Sequence, residues 1–473
     1  MIALSLAEIA DIVGGQTHDI PDPAVTVTGP VVTDSRETEP GALFVAFAGE
    51  RVDGHEFAAQ AVREGAVAVL ATRPVGVPAI VVEDVVGALG ALARHVVERL
   101  GTNVVALTGS AGKTSTKDLI AQLLSRSGPT VWPPGNLNNE IGLPLTALRV
   151  TEETRNLVLE MGARGIGHIT YLTGLTPPRI GVVLNVGSAH IGEFGGKEQI
   201  AQAKGEMVES LPEDGLAVLN ADDPLVRAMA SRTRARVLLF GESEDADVRA
   251  ENVTLGDTGR PGFTLRTPTG CGEVTLRLYG EHHVSNALAA AAVAHELGMS
   301  ADEIALALSE ARSLSRWRME VTERPDGVTI VNDAYNASPD SVRAALRALV
   351  AMGSASRAKG GRTWAVLGLM AELGDEALAA HDAVGRLAVR LNVSKLVAVG
   401  GREAAWLRMG AYNEGSWGEE SVHVSDAQAA IDLVRGELRP GDVVLVKASR
   451  AAGLEKVAAA LLEDATEGEA AGR

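Results

Sequence analysis

One cysteine, Cys271, stands in 473 residues. No intrachain disulfide can form and no cysteine-rich metal site can be assembled, which suits a reducing compartment. Aromatic side chains are almost as scarce: they make up 3% of a chain that is 46% hydrophobic. Ala, Val and Leu must therefore fill the core, as in parallel sheets covered by Ala-rich helices. Positive charge is in deficit, with 43 Lys and Arg against 61 Asp and Glu and a formal charge of −18. That balance argues against nucleic acid or an anionic membrane surface as the main partner, because both reward a basic face. No stretch approaches the roughly eighteen consecutive apolar residues of a membrane span. The segment Met1 to Ala10 lacks a basic leader and a long apolar core, so a cytoplasmic protein is expected. The length leaves room for about three domains.

The clearest positive signal is Thr108-Gly109-Ser110-Ala111-Gly112-Lys113-Thr114-Ser115. It follows the apolar run Asn103 to Leu107 and precedes a stretch, Lys117 to Leu124, with Leu119, Ile120, Leu123 and Leu124 at helical spacing. A strand, a phosphate loop and a helix in that order bind a nucleoside triphosphate. Gly109 and Gly112 let successive N–H groups turn toward an anion, the helix start adds partial positive charge, Lys113 reaches terminal phosphate oxygens, and Thr114 offers a hydroxyl to magnesium. The loop is shorter than G-x-x-x-x-G-K-[ST], since Leu107 stands where the first glycine would be.

Punctuation along the chain marks three units. The first hundred residues carry short β-like runs (Leu43 to Ala46, Ala66 to Leu70, Ala79 to Val82) and an amphipathic segment, Glu56 to Glu64, between Gly- and Pro-rich turns, as expected of a small α/β domain. From Gly101 to about Ser315, strands Val104 to Thr108, Leu157 to Met161, Ile180 to Val186 and Ala217 to Asn220 alternate with helical patterns, and each ends in polar or Gly-rich residues. In an open parallel sheet those carboxyl ends are where ligands bind. A third unit, also doubly wound, begins near Arg316, with strands Val328 to Val331, Trp364 to Leu369, Leu396 to Val399 and Val443 to Val446. Ser338-Pro339-Asp340 opens a helix there as N-cap, first-position proline and early acid. The expected domain bounds are 1–100, 101–315 and 316–473.

Glu160 and His190 each follow a strand of the central unit, within reach of one magnesium-phosphate cluster. Taken singly, each reads first as a surface carboxylate or a satisfied loop histidine; taken together with Thr114, they point to the metal-phosphate site. Lys204 falls on the apolar face of a helical stretch, Gln199 to Leu211, with Ile200, Ala203, Met207, Val208 and Leu211. An isolated ammonium there is costly, so either the stem snorkels to water or the nitrogen is neutral or modified. Spacing leaves both open. Arg318, at the third unit's start, is placed either to reach across to a phosphate or to form an interdomain salt bridge.

With these features in order, the chain resembles the Mur ligase superfamily, whose members carry a short G-x-x-G-K-[ST] loop, a strand-end Glu, Asn-x-x-x-x-His and a carbamylated helix lysine. Gly135-Asn-Leu-Asn-Asn-Glu140-Ile-Gly142, Leu159-Glu-Met-Gly162, Ala203-Lys-Gly-Glu206, Asp53-Gly54-His55 and Tyr335-Asn-Ala-Ser-Pro339 are similar to the branch that handles a dipeptide. The match runs from Asp34-Ser35-Arg36 to the last strand. The resemblance implies a small N-terminal α/β domain for the UDP end, a central P-loop ATPase-like doubly wound domain and a C-terminal Rossmann-like domain that receives D-alanyl-D-alanine. It further implies ATP-dependent joining of that dipeptide to UDP-N-acetylmuramoyl-tripeptide through an acyl phosphate, in a monomer with no nucleic acid partner.

By the same resemblance, ATP is held by Gly109, Ser110, Ala111, Gly112, Lys113, Thr114, Ser115, Asn286, Arg318 and Asp333. Two Mg2+ ions are held by Thr114, Glu160, His190 and Lys204, the lysine as a carbamate formed from CO2. Lys113, Lys204, His190, Glu160 and Arg318 carry catalysis. The muramoyl peptide and dipeptide are met by Ser35, Arg36, Asp53, Gly54, His55, Asn136, Asn138, Asn139, Tyr335 and Asn336. The chain departs from the pattern at His283, Asn332, Ser338, Leu369 and Ala448. Leu369 and Ala448 leave the dipeptide's seat open, as are the peptide's third residue and the order of binding. The competing readings are another amino-acid ligase of the superfamily, acting on a muramoyl peptide or a folate, and a nucleotide-gated binding protein.

Overall fold

The computed structural model describes residues 1–49, 52–188, 191–358 and 360–470. Three main sheets follow one another along the chain. The first has five short strands in the order Gln16–His18, Ala79–Val81, Ala68–Ala71, Leu43–Val45, Val31–Val32, parallel except for the first pair. The amphipathic segment expected over Glu56 to Glu64 is split. Asp53 accepts from the N–H of His55, which starts a tight 3-10 turn, Gly54–Phe57, and only Ala58–Arg63 is α-helical. Val85–Leu100 then runs from an Asp84 cap to Gly101 in the left-handed conformation (φ 60) and packs on Gly142–Ala147 of the next unit.

The central sheet has nine strands. Thr130–Val131, Asn156–Glu160, Asn103–Thr108, Ile180–Val183, Leu216–Asn220, Arg236–Gly241 and Val248–Leu255 are parallel neighbours in that order. Pro261–Thr267 and Gly270–Thr275 extend the sheet antiparallel. The sequence reading expected alternating strands and helices through this region, and the hairpin corrects it. Its strands alternate buried and solvated residues, Phe263 and Leu265 facing in, the period-2 signature of a one-sided antiparallel strand. The Ala-rich helix His282–Glu296 covers this sheet and packs against Lys113–Ser125. With alanines buried at 287, 289–292 and 294, its backbone lies close to the strands.

The third sheet has six strands in the order Glu320–Glu323, Thr329–Asn332, Val443–Lys447, Thr363–Leu367, Lys395–Val399, Ser421–Val424, parallel beyond its first pair. One apolar cluster runs through all three units, from Leu4 through Leu159 to Leu445. The carboxyl ends of the central and third sheets face each other across a single cleft.

Candidate active site

The cleft has a volume of about 1380 Å³ and is lined by residues of the central and third units. Its floor is the phosphate loop. Strand Asn103–Thr108 ends with Thr108 donating to the carbonyl of Met161 (3.0 Å), and the loop turns through Gly112 at φ +81 into helix Lys113–Ser125. A methyl at Gly112 would lie 2.5 Å from Asn286 Oδ1, so glycine is required both by backbone and by space. The N–H groups of Ser110 (3.0 Å) and Ala111 (2.9 Å) donate to Asn185 Oδ1, and Asn185 Nδ2 donates back to the Ala111 carbonyl (3.1 Å). Sequence reasoning passed over Asn185 as a site residue, although it heads the Asn-x-x-x-x-His motif. Lys113 Nζ donates to the Gly109 carbonyl (2.8 Å). Burial pushes the Lys113 pKa down, the Glu160 carboxylate opposes that, and Arg318 adds to it.

Glu160 is the hub. It is 2% exposed, its Oε2 accepts from Thr114 Oγ1 (2.9 Å) and its Oε1 from Asn138 Nδ2 (2.7 Å). The strand-to-strand register pairs Glu160 with Leu107, which brings the carboxylate beside the loop that follows Leu107. The sequence reading gave Asn138 as a substrate contact alone, and the fold also brings it to the nucleotide loop's carboxylate: its segment folds back over the strand end, with the Asn138 carbonyl accepting from Gly162 N (3.0 Å). In the same loop Asn139 Oδ1 accepts from Gly142 N (2.9 Å) and Asn136 Oδ1 accepts from the Tyr335 hydroxyl. Glu160 has no ion-pair partner within 4 Å among the described residues. A buried carboxylate and a threonine hydroxyl side by side form a hard oxygen donor set that fits Mg2+.

Lys204 sits on helix Lys197–Glu209, 4% exposed and lining the cleft. No hydrogen-bond or ion-pair partner is found for it among the described residues. Burial first and the Lys113 charge second push its pKa well below the ordinary lysine value. Burial favours the neutral amine there, and the residue lies on the cleft wall. His190 lies outside the described residues.

From the third unit, Arg318 stacks over the Tyr335 ring (4.2 Å) and extends a guanidinium nitrogen to within 3.4 Å of Thr114 Oγ1. It has no acidic partner among the described residues, so the salt-bridge alternative is not realised. Its neighbours Trp317 and Met319 are both left-handed (φ 58 and 48), a strained backbone that fixes where Arg318 points. Asp333 accepts from Met319 N (3.1 Å) and from Lys447 Nζ (2.7 Å), and Lys447 also donates to the Asn336 carbonyl (2.8 Å). Lys447 went unremarked as a site residue; its signal was a lysine closing a buried apolar strand. Asp340, at the start of helix Pro339–Arg357, accepts from Ser188 N and Oγ (both 2.8 Å) across the cleft.

Ser35, Arg36, Asp53, Gly54 and His55 are absent from the cleft lining. They gather instead around helix Ala58–Arg63. His55 Nε2 accepts from Thr72 N (3.1 Å), so its proton is on Nδ1 and is donated to Asp53 (2.6 Å). His55 therefore locks a loop. The same bond, ahead of Arg73, holds the Asp53 pKa down at about 2. The departures Leu369 and Ala448 do not line the cleft; Ala448 is fully buried in the third unit's core.

Comparison with known proteins bears on all of this. Residues 30–97 match the Mur ligase family catalytic domain, 107–294 the Mur ligase middle domain, and 317–450 the Mur ligase, glutamate ligase domain. The chain is 51% identical to the UDP-N-acetylmuramoyl-tripeptide–D-alanyl-D-alanine ligase of Mycobacterium bovis, over 98% of this chain and 99% of that one. It is 37% identical to the Escherichia coli enzyme of the same name, over 98% and 100%. Among solved structures it is similar to MurF from Acinetobacter baumannii (TM-score 0.87, 32% identity, 98% and 99% covered). MurF ligase from Thermotoga maritima in complex with ADP is also similar (TM-score 0.80, 32% identity, 93% and 99% covered).

Proposed function

The chain belongs to the Mur ligase family, and from that premise we propose how its cleft joins a dipeptide to a muramoyl peptide. It is an ATP-dependent ligase that adds D-alanyl-D-alanine to UDP-N-acetylmuramoyl-tripeptide, a step of peptidoglycan synthesis placed in the cytoplasm with its ATP. A carboxylate is a poor electrophile, so the tripeptide's terminal carboxylate first attacks the γ-phosphate, giving an acyl phosphate and ADP. The dipeptide's free amine then attacks the acyl carbon and phosphate leaves.

The phosphate loop and Lys113 hold the triphosphate, and Arg318 brings a second fixed charge to the transferring group from the opposite wall. Asn286 and Ser115 border the nucleotide. Asp333 acts at one remove, since both its oxygens are engaged by Met319 and Lys447. Thr114 and Glu160 would hold one Mg2+, His190 and a carbamate on Lys204 a second. Bound there, magnesium would supply charge neutralisation for the phosphoryl oxygens. A carbamate would give the partnerless Lys204 nitrogen an anionic character that a cation can match. Asn136, Asn138, Asn139, Tyr335 and Asn336 line the acceptor side, and Ser35, Arg36 and the Asp53–His55 loop form a distal seat for the UDP end. Domain limits of 1–100, 101–315 and 316–473 are supported by three sheets that succeed one another along the chain.

The observation that carries the reading is the chain of contacts Arg318–Thr114–Glu160–Asn138, which joins nucleotide, metal and acceptor positions through one buried carboxylate. Phosphate release with ATP, Mg2+ and UDP-muramoyl-tripeptide tests it. Release is expected only when D-alanyl-D-alanine is also present, and equal release with single amino acids would assign the chain to another ligase activity.

A further inference from the structure

Among the described residues, Lys117 is the most deeply buried cation that the mechanism above leaves unused. It is 0% exposed on helix Lys113–Ser125, one turn beyond Lys113. Its Nζ donates to the carbonyls of Pro133 (2.9 Å) and Gly135 (2.7 Å) and pairs with Asp118 Oδ1 (2.9 Å). Three acceptors match the three donors of a lysine nitrogen. A cation in this position is tolerable only while all three are present, so the lysine needs the loop as much as the loop needs the lysine.

We propose that Lys117 is a positioning residue that couples the phosphate-loop helix to the acceptor loop. The two carbonyls it holds belong to the turn that leads into Asn136, which accepts from Tyr335, and on to Asn138, which orients Glu160. Gly135 turns through φ +62 with open space where a side chain would be, so no packing of its own fixes this turn. Another brace is Arg149 on the Trp132 carbonyl (3.0 Å), which is exposed. Lys117 and Lys113 share a face of one helix, and the distance between γ-phosphate and acceptor carboxylate is set through that rigid turn.

The inference rests on the ligase reading, and the test separates the two. In the full chain, Lys117→Met should lower kcat/KM for UDP-muramoyl-tripeptide on the order of tenfold or more, while ADP affinity stays within about threefold. Lys117→Gln, which keeps two N–H donors, should recover part of the loss. Equal loss of both affinities, alongside a lowered melting temperature, assigns Lys117 a purely structural role and overturns the proposal, as does unchanged acceptor kinetics. Should neither variant fold, hydrogen exchange of the wild-type protein decides. Acceptor alone should slow exchange in both 134–140 and the first turns of Lys113–Ser125, and slowing confined to the loop overturns the coupling. Wild-type phosphate release that ignores the acceptor would sink the ligase reading instead.

Discussion

Asn138 and Thr114 share one carboxylate, and the energetics of the site turn on single contacts of this kind. Removing the amide in Asn138→Ala leaves one Glu160 oxygen buried without its donor, at a cost of about 1–3 kcal/mol. The variant is therefore expected to need more magnesium for half-maximal phosphate release as well as to use the muramoyl peptide poorly. A magnesium titration at saturating ATP checks this, and an unchanged midpoint with only the acceptor KM raised would return Asn138 to a pure substrate contact. Lys113→Ala should cut turnover on the order of a hundredfold or more, because a charge fixed beside the transferring phosphoryl group is lost. Its melting curve should stay near wild type, since the side chain's hydrogen bond is to the loop's own Gly109 carbonyl. Lys204→Ala should lose most activity yet keep or gain stability, because a costly buried group departs. Formate or acetate should restore part of that activity and none of Lys113→Ala's. An unmodified amine by mass in active enzyme, together with failed rescue, would rule out the carbamate.

Helix His282–Glu296 carries the clearest pH dependence among the elements. Burial pushes His282 down to about 4, partly opposed by Asp333, and pushes His283 well below its ordinary 6.5. Both are held neutral in the fold, so the unfolded chain binds more protons between pH 6.5 and about 4. The stability they contribute is fully present above pH 6.5 and falls as the medium is acidified toward pH 4. Thermal midpoints across that window should decline on acidification, and His282→Asn should flatten the slope; an unchanged slope would mean another group sets it. Elements were also where sequence reading did best. The phosphate loop, its helix and the parallel strands announce themselves through contiguous residues. Pro261–Thr267 and Gly270–Thr275 did not, because their exposed positions dilute the apolar signal and only pairing with Val248–Leu255 makes them part of the sheet. The segment before Ala58 failed for a local reason: the Asp53 side chain takes the His55 N–H and tightens the first turn.

At the scale of the whole molecule, the third unit shares an apolar cluster with the central one and also meets it through polar contacts that include Asp340 on Ser188, Tyr335 on Asn136, and Arg318 beside Thr114. Tyr335→Phe removes one hydroxyl, keeps the ring under Arg318, and should lower kcat several-fold with little change in ADP affinity. Asp340→Ala should raise the flexibility of the third unit relative to the centre, read as a larger radius of gyration by small-angle scattering in the unliganded protein. An unchanged profile would show that apolar packing alone holds the units together. These contacts also account for what the site's residues do as a set.

Family, loop chemistry and part of the cleft lining were legible in the sequence alone, since motifs such as Gly109 to Ser115 and Tyr335 to Pro339 act through contiguous backbone and adjacent side chains. Which group meets which was decided only by the tertiary structure. Tyr335 and Asn136 are 199 positions apart, and Lys447 and Asp333 are separated by 114. The contacts of Asn185 with the phosphate loop, of Asn138 with Glu160, and of Lys117 with the acceptor loop have the same origin. A side chain's partner across a cleft depends on strand order and on how sheets face each other, and local periodicity carries no record of either.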